Sequence, residues 1–309
     1  MKHNRSLPLL LSVSLWVAGV AAALFLGAAS FSDPDVLRIL RLPRTIVDLG
    51  VGGGLAVAGV GLQAVLANPL ADPYTMGIAS SAACGAIAAA HFTSSTTAAA
   101  AAAFTVALGY LSALLLWAAR RVRGDRELIL TGVIAGFFFS SLATLLLAYS
   151  DPSRWTSSFT WVLGSIRAVD AATASGGTLI LALLSAIQWL LWKPLDLMAV
   201  DADLAITSGV PVARVRFITL ALTSIITAVA VSFAGIVGFV GLLVPHALRA
   251  LGAHGHRTLI PLSFMAGGGL LALADGLARA LPGATEPPVG IMLSLAGCPL
   301  FLWLLRRTK

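Results

Sequence analysis

Apolar runs long enough to cross a bilayer follow one another along almost the whole chain. That succession limits the fold more than any motif does. The runs fall near residues 7–29, 45–66, 76–92, 97–119, 128–149, 171–192, 215–233, 236–253, 259–281 and 288–305. A spanning helix needs about 20 apolar residues, so about ten transmembrane helices are expected. In hydrocarbon every backbone donor and acceptor must be satisfied within the structure, which leaves helices or closed barrels. The runs are too long and too evenly apolar for the alternating strands of a barrel. Composition agrees: 58% of the 309 residues are hydrophobic and only 11% are charged, against about 25% charged in a soluble domain. The expected fold is all-α, a polytopic membrane helical bundle, with 1–309 forming a single transmembrane domain.

The N-terminus has a basic start and an apolar run, like a signal peptide. The run from Leu7 to Ala29 exceeds the roughly 7–15 residues of a signal core. It reads as an uncleaved first helix. Ten spans put both termini on one side. Loops on that side then hold 14 of the 20 lysines and arginines, and the opposite loops hold 6. The positive-inside rule places both termini in the cytoplasm. Cys84 and Cys298 lie far apart in apolar segments and read as small core residues rather than a disulfide or metal site.

Against that topology, Arg41 and Arg44 stand at the outer end of the second span, in a loop expected over 32–44. They oppose the charge asymmetry, so they serve something other than orientation. Arg44 has Asp48 four residues on, and Asp275 has Arg279 at the same spacing, so each arginine has a helix neighbour to neutralise. Arg41 has no such neighbour. The second span also carries Gly50, Gly52, Gly53, Gly54, Gly59 and Gly61. Small residues let helix backbones approach closely in lipid, which marks this helix as central. After it, the Asn68–Pro73 segment NPLADP reads as a rigid reversal, because its prolines stop a helix and Asn68 and Asp72 favour turns.

Five stretches in order carry a resemblance. They are RLPR (Arg41–Arg44), GVGLQAVLANPLADPYTMGIASSAACGA (Gly59–Ala86), GFVGLLVPHALRAL (Gly238–Leu251), HRTLIPLSFMAGGGLLALADGLAR (His256–Arg279) and EPPVGIMLSLAGCPLFLWLL (Glu286–Leu305). From about residue 38 onward the chain resembles the FecCD-type permeases, the membrane subunits of bacterial ABC importers for iron-siderophores, haem and cobalamin. The resemblance implies a homodimer in the inner membrane, two partner ATPase subunits that bind the ATP and Mg, and a soluble substrate-binding protein outside. It implies alternating access to a metal-chelate. By motif position it places Arg41, Arg44 and Arg279 against acidic residues of the binding protein, where rim charges set docking rate and register. It places coupling to the ATPase in the loop 193–216, with Asp196, Leu197, Met198, Asp201, Asp203, Leu204, Gly209 and Val210 the coupling residues. In that loop Leu195, Met198, Leu204 and Ile206 supply apolar contacts, although the usual Gly-Glu of the motif is Asp201-Ala202 here. It lines the pathway with the fifth and tenth spans, here Phe137, Phe138, Ser140, Ser141, Met292 and Ser294, and suggests a gate at Ser80 and Ser81.

His246, in a Pro-His pair, reads as making a structural hydrogen bond rather than serving as a haem or metal ligand. At His256-Arg257 the resembling loop usually has an aspartate where Gly255 stands, so a salt bridge there is expected to be lost. The sequence holds no Walker motif, HExxH or GxSxG in a soluble context. No catalytic, cofactor-binding or metal-binding residue is expected, and hydrolysis is assigned to a partner. The rival reading is a secondary, ion-coupled transporter, which would favour paired carboxylates at mid-membrane. Here most acidic residues lie near span ends or in loops.

Overall fold

The computed structural model describes residues 6–27, 34–93, 95–121, 125–149, 160–166, 169–282 and 286–307. Its helices are α1 (Ser6–Phe25), α2 (Leu42–Val65), α3 (Ile78–Phe92), α4 (Thr96–Arg121), α5 (Asp125–Ala148), α6 (Ala171–Leu190), α7 (Trp192–Val200), α8 (Ala202–Thr207), α9 (Val212–Ala234), α10 (Val240–Ala250), α11 (His256–Ala280) and α12 (Val289–Arg307). Seven are long and apolar enough to span, and α3, α10 and α12 are shorter apolar helices. Together they correspond one to one with the expected runs. α7 and α8 fall within the loop expected at 193–216.

The loop expected over 32–44 begins among residues outside those described, and its remainder is helical. Val36–Arg41 forms a π turn that runs directly into α2. Pro43 accounts for the wide turn. Proline lacks an N–H and its ring clashes with the carbonyl four residues back. The turn takes up the mismatch by shifting one bond: the Leu42 N–H reaches Leu37 O, five residues back, as in other π-bulges.

α2 is the most deeply buried span among the described residues. It packs against α11, α6, α9 and α10, while α11 also carries α1 on its flank. Glycine makes these contacts possible. A Cβ at Gly268 would stand 2.6 Å from Leu49 O, and one at Gly276 would stand 2.6 Å from Ala22 O. So α1, α2 and α11 meet backbone to backbone. Close backbone approach replaces the hydrophobic drive that is missing between helices in lipid. α3 packs on α4 and α5, and α9 closes the gap between α4 and α2.

The reversal after α2 is built as its residues suggest. Asn68 Oδ1 accepts from the Leu70 N–H at 2.9 Å, and Asp72 Oδ1 accepts from the Tyr74 N–H at 2.8 Å. Gly77, at φ +73°, turns the chain into α3. Tyr74 Oη takes the Val237 N–H at 2.8 Å, which pins the reversal to the start of α10. Burial pushes the Asp72 carboxyl up to about 6. Cys84 is buried, Cys298 is exposed, and both are free.

Candidate functional site

The charged groups of this bundle gather at its two ends. At the first, α1 stops at Phe25 with its last carbonyls lacking helical partners, as at any helix C-terminus. Arginines from two other helices satisfy them. Arg41 Nη1 donates to Leu24 O at 2.6 Å, and Arg279 Nη2 donates to Ala23 O at 2.7 Å. A cation at a helix C-terminus also meets the negative end of the helix dipole. Gly27, just past the helix, takes φ +136°, a conformation that favours glycine, and lies against both arginines. Arg41 and Arg279 are consequently buried. The sequence left Arg41 without a neighbour because its partner is a backbone carbonyl 17 residues away.

Arg44 points across the bundle instead of along its own helix. Its Nη2 and Nε reach Asp275 Oδ1 at 2.7 and 3.2 Å, and its Nη1 reaches Glu286 Oε2 at 2.9 Å. Asp275 is fully buried, and it also pairs with Arg279 at 3.0 Å. Glu286 is 54% exposed and the Arg44 side chain 16%. The expected Arg44–Asp48 pairing is therefore replaced by long-range pairs, and among the described residues neither carboxylate oxygen of Asp48 has a hydrogen-bond partner. The Asp275–Arg279 pairing forms as spacing suggested. Glu286 is a member of this cluster that sequence reasoning missed. Its signal was the charge in EPPVG beside the start of the last span.

At the opposite end, α7 and α8 form a ledge beneath the spans. Leu195 and Met198 are buried in the bundle, whereas Val200, Leu204 and Ile206 are exposed. The apolar set read from the sequence thus divides into an inner pair and an outward-facing pair. Leu197 is partly buried, Asp203 is exposed, and Val210 packs against the core. Asp201 caps α8, its Oδ1 accepting from the Leu204 N–H at 2.8 Å. Gly209 takes φ +80° and turns the chain toward α9. Asp196, half-buried, engages α11: its Oδ1 accepts from the His256 N–H at 2.8 Å and from His256 Nδ1 at 2.6 Å. The acid that Gly255 does not supply comes from α7, so the expected loss of that contact does not occur. Nearby, Gln63 Nε2 donates to Gly241 O at 3.1 Å and to Ala71 O at 3.3 Å, and its Oε1 accepts from Arg249. This joins the end of α2 to the reversal and to α10.

The suggested lining residues lie on two separate helices. Phe137, Phe138, Ser140 and Ser141 of α5 are exposed, and Met292 and Ser294 of α12 are half-buried. Ser294 Oγ is turned back to Gly290 O at 2.8 Å. Ser81 is fully buried, with its Oγ bonded to Ile78 O at 2.8 Å, while Ser80 faces the backbone of α5 near Gly136. These two serines therefore point to different surroundings. The structural hydrogen bond expected of His246 is not found among the described residues, where its Nε2 is buried without a partner. Its ring instead meets Phe301 edge to face at 5.2 Å.

A multi-pass helical bundle with a charged cluster at one end and an apolar ledge at the other is the form of a membrane transport subunit. The chain belongs to the FecCD transport family, whose model matches residues 7–307. It is 34% identical over 312 residues to the cobalamin import system permease protein BtuC of Halobacterium salinarum, covering 98% of this chain and 83% of that protein. It is 34% identical over 274 residues to the vitamin B12 import system permease protein BtuC of Escherichia coli, covering 87% and 83%. A solved metal-chelate type ABC transporter in an inward-facing conformation superposes with a TM-score of 0.86 at 30% identity, covering 97% of this chain and 99% of that one. PsaBC from Streptococcus pneumoniae in complex with Fab shares the fold, with a TM-score of 0.55 at 17% identity and coverage of 94% and 95%. The chain is thus the permease subunit of an ABC importer, and ATP binding belongs to a partner ATPase.

Proposed function

We propose that this permease carries a metal-chelate of the cobalamin, haem or iron-siderophore class into the cell by alternating access, as one half of a homodimer. Two ATPase subunits sit beneath it and a soluble substrate-binding protein docks above it. The chain is a single domain over 1–309 in the cytoplasmic (inner) membrane, with both termini in the cytoplasm. The observation that carries this reading is the division of charged groups between the ends. The Arg44 end offers a guanidinium beside an exposed carboxylate. The α7–α8 end offers Val200, Leu204 and Ile206 to a partner.

On this reading Arg44 makes the docking contact, and Arg41 and Arg279 hold it in place by capping α1. The region 193–216 couples to the ATPase through α8 and the exposed flank of α7. α5 and α12 face their counterparts across the dimer axis, where Phe137, Phe138, Ser140, Ser141, Met292 and Ser294 line the route. An apolar lining with scattered hydroxyls suits a bulky chelate. Ser80, beside the close approach of the reversal to α5, lies at the narrow part of that route, and Ser81 is buried behind it.

The test is uptake into proteoliposomes holding this chain, its ATPase and its binding protein, with labelled cobalamin, haem and ferric-siderophore supplied in turn. Accumulation of one of them supports the cargo class. Accumulation of none, while a free metal ion is taken up, overturns it.

A further inference from the structure

The ledge and the charged cluster lie at opposite ends of one helix. α11 has 25 residues, so it is about 37 Å long at 1.5 Å per residue. Its C-terminal turns carry Asp275 and Arg279, which hold Arg44 and the end of α1. Its first turn is gripped from below. Gly255, at the N-cap position, has no side chain to satisfy the first N–H groups, and Asp196 of α7 supplies the missing acceptor. A carboxylate there also meets the positive end of the helix dipole. The same oxygen takes His256 Nδ1, and the His256 side chain is only 3% exposed. Trp189, at the end of α6, adds a third tie through Nε1 to Arg257 O at 2.9 Å. The Arg257 guanidinium lies over Trp192, 5.7 Å from the ring centroid. Between its ends α11 is held to α1 and α2 by backbone contact. Pro261, inside the helix, has no N–H for Arg257 O, and Trp189 supplies the donor that this carbonyl lacks.

We propose that the Asp196–His256 contact is the mechanical joint through which the coupling ledge and the outer charged cluster move together, with α11 as the element that connects them. Asp196 is then a positioning residue. It acts on α11 rather than on the ATPase surface, and Leu204, Ile206 and Val200 are left to meet the partner. The proposal rests on the coupling and docking roles given above. It adds that the Asp196 carboxylate is the main grip between the ledge and α11, with the Trp189 and Trp192 contacts to Arg257 beside it.

The readout is the factor by which the binding protein stimulates ATP hydrolysis by the reconstituted complex, which needs no cargo. Asp196→Ala should reduce that factor by about fivefold or more while the ATPase still co-purifies at wild-type stoichiometry. Asp196→Asn, which keeps an acceptor for the His256 N–H, should restore most of it. Asp196→Ala combined with His256→Ala should be little worse than Asp196→Ala alone, as expected for partners in one contact. Wild-type stimulation in Asp196→Ala overturns the joint. Loss of ATPase association in both Asp196→Ala and Asp196→Asn also overturns it, because it would place the carboxylate at the ATPase surface. If Asp196→Ala does not fold, His256→Ala decides: a loss of stimulation supports the joint, and an unchanged factor overturns it. A wild-type chain that never retains an ATPase would instead sink the coupling reading.

Discussion

Arg44 is held by two carboxylates of different kinds, and the difference gives opposite expectations for two substitutions. Asp275 is fully buried, whereas Glu286 is half exposed. A carboxylate on a docking partner can take the place of Glu286 at Nη1 but not that of Asp275. A charge-assisted pair contributes about 1.5–3 kcal/mol. The exposed pair it displaces is worth about 0.2–1 kcal/mol. The net is roughly 1–2 kcal/mol, or about tenfold in affinity. Arg44→Gln should therefore weaken docking of the binding protein by about tenfold. Glu286→Gln removes the competitor and should strengthen docking by up to about fivefold. Both effects should shrink at high salt, where exposed charges are screened. The assay is binding of the soluble partner to the detergent-solubilised complex at two ionic strengths. Thermal unfolding of each variant serves as the control for lost packing. If Glu286→Gln weakens docking, or if Arg44→Gln lowers stability and leaves affinity unchanged, the guanidinium only braces Asp275 and the docking role fails.

Three further outcomes are expected. Gly268→Ala forces a Cβ to within 2.6 Å of Leu49 O, so α2 and α11 must separate; overpacking of this kind costs about 1–3 kcal/mol. Gly176→Ala, which meets nothing within 4 Å, should be neutral, and equal melting temperatures for the two would contradict the packing argument. Asp72 has a folded-state value of about 6 against the usual 3.8, so folding favours its neutral form. Its stabilising contribution is full below about pH 4 and gone above about 6. The gap is worth roughly 3 kcal/mol. Asp72→Asn, which keeps the turn acceptor, should raise thermal stability at pH 7.5 and leave it unchanged at pH 4. The reverse order would refute this. Leu204→Asp should leave insertion intact and strip the ATPase from the purified complex, and retention of the ATPase would move the coupling surface elsewhere.

The spans were legible because lipid imposes one rule on every residue of a helix, and apolar length reports it directly. The central place of α2 was legible too, since six glycines in one span have few other uses. The reversal at Asn68–Pro73 followed from turn chemistry. What sequence spacing missed was long-range pairing. Arg44 lies 231 residues from Asp275 and 242 from Glu286, and the i,i+4 rule pointed instead to Asp48. Arg41 caps a backbone carbonyl of another helix, which leaves no trace in side-chain patterning. Asp196 was grouped with its exposed neighbours because nothing in a stretch of mixed charge tells which carboxylate engages another helix. The helical run through Arg38 and Arg41 was read as a loop because proline and charge usually end a helix. The π turn defeats that rule locally.

The central claim is that ATP hydrolysis by a partner, and not an ion gradient, drives this permease. The direct measurement is cargo uptake into proteoliposomes that contain the permease, its ATPase and its binding protein. Internal and external salt and pH are matched and an ionophore is present, with ATP supplied on the ATPase side or withheld. Uptake should require ATP and the binding protein together and should be unaffected by collapse of proton and sodium gradients. Uptake that proceeds without ATP and stops when the gradients are collapsed would show an ion-coupled transporter and contradict the account.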